Sequence, residues 1–181
     1  MKNSTLKAFL SFSFWTSLSR VFGFVRDVLL AASLGAGPIS DAFFVAFKLP
    51  NMFRRLVAEG ALVQSFLPTF TYIEESQKKI KSQEFASYMQ SVILIYILIF
   101  VVLAEIFMAY IIIGLAPGFI LNTEAYESAV NFARVTIIYL PMLSLMAIWG
   151  SILQSSDKFM PSAASPIILN ISLITASILI L

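Results

Sequence analysis

The 181 residues contain no cysteine and no histidine. The first absence excludes disulfides and thiol nucleophiles. Together they remove the usual zinc ligands and any Ser-His-Asp arrangement. Charge is scarce too: 12 Lys and Arg face 10 Asp and Glu, a net of +2. So small an excess gives nucleic acid no basic footprint, and none is expected as a partner. The carboxylates show no metal-ligand spacing, and no nucleophile–base pair stands out. No cofactor, no metal and no enzymatic chemistry are therefore expected.

What fills the chain instead is apolar sequence. Hydrophobic residues make up 59% of it, with seventeen Phe and a mean hydropathy of +0.90. A soluble domain carries about 45–50% apolar residues, and runs such as 92–104 exceed what a soluble core of this size can hide. The reading is an all-α polytopic membrane protein.

Five spans are expected. The first covers about 8–32. Lys2 and Lys7 before an apolar stretch have the form of a secretory leader, but Arg20, Arg26 and Asp27 follow at once, so the segment reads as a retained span. The second covers about 41–72, too long for one straight crossing, with Pro50, Gly60 and Pro68 as kink points. The third, about 85–113, includes 22 residues from 92 to 113 with Glu105 as their single charge. The fourth covers about 128–153, interrupted by Pro141 and Gly150, and the fifth about 161–181, with Pro166 and Asn170 inside it. No repeat, linker or soluble domain is visible.

Loop charges orient these spans. Lys2, Lys7, Lys78, Lys79, Lys81 and Lys158 fall on one side, whereas loops 33–40 and 114–127 hold no Lys or Arg. The positive-inside rule then places the N-terminus in the cytoplasm. The sequence stops within apolar residues after an odd number of spans, as expected of part of a longer protein.

Against this background, residues 19–59 stand apart, because charges sit inside both of their apolar segments. Arg20, Arg26 and Asp27 lie in the first; Lys48, Arg54, Arg55 and Glu59 lie in the second. A charge at a bilayer centre costs roughly 2.5–3.5 kcal/mol on insertion scales and usually faces a cavity or a partner. In the first span about twelve Leu, Val and Phe return some 4–7 kcal/mol. Three central charges take up to about 8–10. The span therefore needs partners, water or snorkelling.

On an ideal helix, Ser13, Thr16, Ser17, Arg20, Gly23 and Asp27 fall within about 60° of one line. In the second segment Asp41, Lys48, Arg55 and Glu59 share a face with Asn51 near it, while Arg26 and Arg54 lie off these stripes. Pro50 makes the wheel unsafe beyond it. Two readings stay open. In one, Arg20 pairs with Asp27 or Asp41, and Arg54 or Arg55 snorkels with Glu59. In the other, the arginines form an anion site, since guanidinium matches phosphate oxygens and stays charged when desolvated. Arg134 and Glu105 read as lone anchoring charges.

The strings SRVFGFVRD at 19–27 and GAGPISDAFFVAFKLPNMFRRLVAEGALVQSFLP at 35–68 closely resemble the N-terminal signature of the MurJ (MviN) family of lipid II flippases, within the MOP exporters. APGF at 116–119 and PSAASPIILNIS at 161–172 extend the resemblance more loosely. It implies the N-terminal lobe of a MurJ/MATE-like helical bundle, with the C-terminal lobe absent. It also implies movement of lipid II from the cytoplasmic to the outer leaflet of the bacterial inner membrane by alternating access through a cationic cavity. Matched motif by motif, the family's cavity positions fall on Ser19, Arg20, Arg26, Asp27, Asp41, Asn51 and Arg54. The three arginines would face the pyrophosphate and its sugar. Lipid II, membrane lipid and the protein's remaining helices are the implied partners. The rivals are an exporter of another polyprenyl-linked saccharide and a non-transporting membrane fragment.

Overall fold

A computed structural model of the chain describes residues 2–58, 61–77, 79–156, 158 and 160–180. Among them the structure is helical, without a strand. Seven α-helices follow in order: α1 (Lys2–Leu34), α2 (Pro38–Ala58), α3 (Ala61–Ser76), α4 (Lys79–Leu115), α5 (Thr123–Ile137), α6 (Tyr139–Ser155) and α7 (Met160–Ile180). A short 3-10 helix, Pro117–Leu121, precedes α5. The all-α reading of the sequence is thereby met.

Helix boundaries follow local chemistry. Gly35 ends α1 with φ +65 and donates its N–H to the Ala31 carbonyl at 3.1 Å, a left-handed cap that glycine adopts without strain. Pro38 opens α2 at a position where its missing N–H costs nothing, and Asp41 sits in that first turn. Asn122 caps α5 by accepting the Ala125 N–H at 3.2 Å. Pro141 cannot donate to the carbonyl four residues back, and the helical run from Thr123 breaks at Ile138 into α5 and α6.

The structure differs from the sequence expectation in detail. Residues 2–7, expected as a tail, belong to α1, and Lys79 and Lys81 belong to the first turn of α4 rather than to a loop. Pro50 and Pro68 lie inside continuous helices, while the Gly60 kink point and Lys78 fall outside the described residues. Among the described residues two stretches, Lys79–Leu115 and Thr123–Ser155, are long and apolar enough to cross a membrane, and Ala164–Leu179 of α7 is a shorter apolar segment.

The chain divides into two compact units, residues 1–36 with 152–181, and residues 37–151. In the first, α1 packs along α7. In the second, α2 packs on α5, α4 lies against α3 and α5, and one apolar cluster joins α2, α4, α5 and α6. Ala42, Ala46, Met108, Ile112, Ala129 and Ile137 of that cluster are fully buried. The surface is correspondingly apolar, with Ile95, Tyr96, Ile99, Val102 and Ile106 of α4 all pointing outward. A helix apolar all round is what lipid contact demands.

Candidate anion site

Within the first unit the polar groups of α1 gather around one residue of α7. Ser19, Gly23 and Arg26 stand four and three residues apart, so they share one face. Asn170 lies against that face. Its Nδ2 donates to the Ser19 carbonyl at 3.0 Å, and its Oδ1 accepts from Arg26 Nη1 at 2.8 Å. A Cβ on Gly23 would lie 3.6 Å from Asn170 Nδ2, an ordinary contact.

Asp27 takes the other side of the Arg26 guanidinium. Its Oδ1 accepts from Nε at 3.0 Å and from Nη2 at 2.7 Å. Guanidinium has five N–H donors, and described residues engage three of them. The Arg26 side chain is 27% exposed and Asp27 62%, so the pair lies at the edge of the unit. Asp27 thus pairs with Arg26 and not, as one reading of the sequence had it, with Arg20. Seven residues of helix separate Arg20 from Asp27 by about 10.5 Å of rise, beyond comfortable reach, whereas the long Arg26 side chain bends back onto its neighbour. Arg20 itself is exposed.

The second unit holds the remaining candidates on α2. Asp41, Lys48, Asn51 and Arg55 are exposed, opposite the buried Ala42, Ala46 and Leu49. The seven-residue spacing of Asp41, Lys48 and Arg55 keeps one outward face on both sides of Pro50, so the wheel survives the proline. Proline at 50 leaves the Ala46 carbonyl without its helical donor, and Thr136 Oγ1 of α5 lies 3.5 Å from it, sharing its single proton with the Ala133 carbonyl of its own helix at 3.2 Å. Arg54 is half-buried at the border of this face, near Tyr139. Glu59, the expected partner of Arg55, lies outside the described residues.

Two further polar features escaped the sequence reading. Asn170 was visible as a lone amide in an apolar run, which is itself a signal, but nothing local indicated that it would meet Arg26. Glu105 and Arg134, read as lone anchors, form an ion pair at 3.8 Å between α4 and α5. A shallow cleft of about 240 Å³ beside them is lined by Ala109, Tyr126, Glu127, Val130 and Asn131, and contains none of the expected site residues. Among the described residues no group of three carboxylates could hold a metal.

Among the described residues, two apolar helical stretches long enough to span a bilayer and an arginine tied across a helix pair fit an integral membrane protein of the helical class. The sequence model of the family described as lipid II flippase MurJ matches residues 30–181. A probable lipid II flippase MurJ of Buchnera aphidicola from Schizaphis graminum is 40% identical over 172 residues, 95% of this chain and 34% of the relative. The corresponding Rickettsia prowazekii protein is 39% identical over 162 residues, 90% of this chain and 32% of its own. A lipid II flippase MurJ of Burkholderia cenocepacia is 30% identical over 174 residues, covering 96% and 34%. The chain belongs to the MurJ family of membrane transporters. It spans about a third of the length of these curated relatives.

Proposed function

We propose that this chain forms the N-terminal lobe of a lipid II flippase, which carries the lipid-linked peptidoglycan precursor from the cytoplasmic to the outer leaflet by alternating access. In the complete protein Arg20 and Arg26 on α1 and Arg54 on α2 contact the diphosphate and its sugar. Ser19, Asp27, Asp41 and Asn51 supply the polar groups around them. The polyprenyl tail stays in lipid, and no covalent bond is made or broken. The chain lies in the bacterial inner membrane with its N-terminus in the cytoplasm, in keeping with the one-sided Lys distribution.

One observation carries this reading beyond the family likeness. Arg26 is held from two directions by Asp27 and Asn170 within a helix pair rich in apolar residues. An oriented guanidinium that stays charged when desolvated is suited to a phosphate oxygen, and an exporter of cations would want carboxylates in its place. In the complete protein, Arg26→Ala or Arg54→Glu should abolish flipping while membrane insertion is retained. Growth supported by either allele, after depletion of any other flippase, removes that residue from the site.

A further inference from the structure

The Asn170 amide is used at both ends, and the geometry points to a purpose: we propose that Asn170 is a positioning residue that sets the Arg26 guanidinium for anion contact. The proposal rests on Arg26 meeting the diphosphate. A backbone carbonyl can only accept and a guanidinium can only donate. With Nδ2 on the Ser19 carbonyl and Oδ1 on Arg26 Nη1, each end of the amide faces the partner it requires. The flipped amide would set oxygen against oxygen and N–H against N–H. One orientation therefore satisfies both neighbours, and it leaves Oδ1 facing Arg26.

Burial makes that orientation binding. Asn170 is 5% exposed, so a bond lost there is not readily replaced by water. Its neighbours on α1 come from one helical face, and a Cβ at position 23 would touch the amide nitrogen at 3.6 Å, an ordinary contact. A side chain branched at that carbon places further carbons beside the amide.

The neutrality of the amide matters as well. Asp27 already gives Arg26 one carboxylate. A second carboxylate from α7 would make the cluster net negative and repel a diphosphate. A carbonyl oxygen restrains Nη1 without cancelling charge. Asn170→Leu and Asn170→Asp should consequently fail in different ways. Leucine releases Arg26, whereas aspartate keeps an oxygen on Arg26 Nη1, sets its other oxygen against the Ser19 carbonyl, and repels the ligand.

The complete protein in detergent provides the test, with two readouts. The first is the rate at which phenylglyoxal modifies Arg26, followed by peptide mass spectrometry. The second is the dissociation constant for lipid II. Asn170→Leu should raise the modification rate several-fold. It should weaken lipid II binding about tenfold, the scale of one charge-assisted hydrogen bond, yet add little further loss to Arg26→Ala. Asn170→Asp should weaken binding with Arg26 modified at the parental rate. Gly23→Val, which crowds the same amide from α1, should reproduce the leucine pattern. Unchanged modification of Arg26 in both the leucine and valine variants overturns the proposal. So does an equal loss of affinity with and without Arg26, the mark of packing alone. If the parental protein binds no lipid II, the substrate assignment falls, and the modification rates still decide whether Asn170 holds Arg26.

Discussion

Where α2 meets α5, the buried residues are small and apolar: Ala42, Ala46, Ala129 and Ala133 are at most 1% exposed. Where α1 meets α7, the seam carries Ser19, Gly23, Arg26 and Asn170, tied by hydrogen bonds. Lipid tails are as apolar as leucine, so helices in a bilayer gain little from burying apolar surface against each other. They associate through close packing of small residues or through polar bonds. Small-residue packing dominates the α2–α5 seam, and polar bonds dominate the α1–α7 seam. The alanine seam holds helices together and carries no charge. The polar seam holds helices together and also aims an arginine.

Substitutions can break that distinction. The largest effect on stability is expected at the alanine seam. Ala46→Leu inserts three carbons where nothing is exposed, and overpacking of this kind costs about 1–3 kcal/mol. The unfolding midpoint in detergent should fall while the surviving folded protein still binds lipid II. An unchanged midpoint would mean that the seam is not tightly packed.

A smaller effect is expected at Thr136, whose hydroxyl is shared between the Ala133 carbonyl of its own helix at 3.2 Å and, at 3.5 Å, the Ala46 carbonyl that Pro50 leaves without its helical donor. Thr136→Val should cost about 0.6 kcal/mol, the average for interhelical hydrogen bonds in membrane proteins, and at most about 1.7. Pro50→Ala restores a backbone N–H for Ala46. In that background Thr136→Val should cost much less, and equal losses in both backgrounds would show that the hydroxyl does not serve that carbonyl. The smallest effect belongs to Glu105→Gln, which loosens the 3.8 Å pair with Arg134. Both partners are partly exposed, so the loss should stay below about 1 kcal/mol. A larger drop in midpoint would make that pair a structural element equal to the alanine seam.

The helical class was legible because apolar runs such as 92–113 leave no other choice, and α4 contains that run whole. Its full length, from Lys79 to Leu115, was less legible, since polar residues at a helix end read as loop. The break at Ile138 could be placed near Pro141 but not assigned, because proline both interrupts helices and, as at Pro50, lies within them. The charged segment announced itself through charges in apolar sequence. The wheel set Arg26 apart from the line of Arg20 and Asp27, yet it places only Cβ atoms, and the guanidinium several bonds further out bends back to Asp27. The partnerships of Arg26 with Asn170 and of Glu105 with Arg134 bridge 144 and 29 positions of sequence. Periodicity within one helix says nothing about which helix lies beside it.

The central claim is that arginines on α1 and α2 bind the diphosphate of lipid II. Native mass spectrometry of the complete protein, extracted from its own membrane, addresses it most directly. The account predicts a species carrying the mass of lipid II, and loss of that mass in an Arg26→Ala, Arg54→Ala double variant recovered at comparable yield. Lipid II retained by the double variant at parental occupancy, or absent from the parental protein, would contradict it.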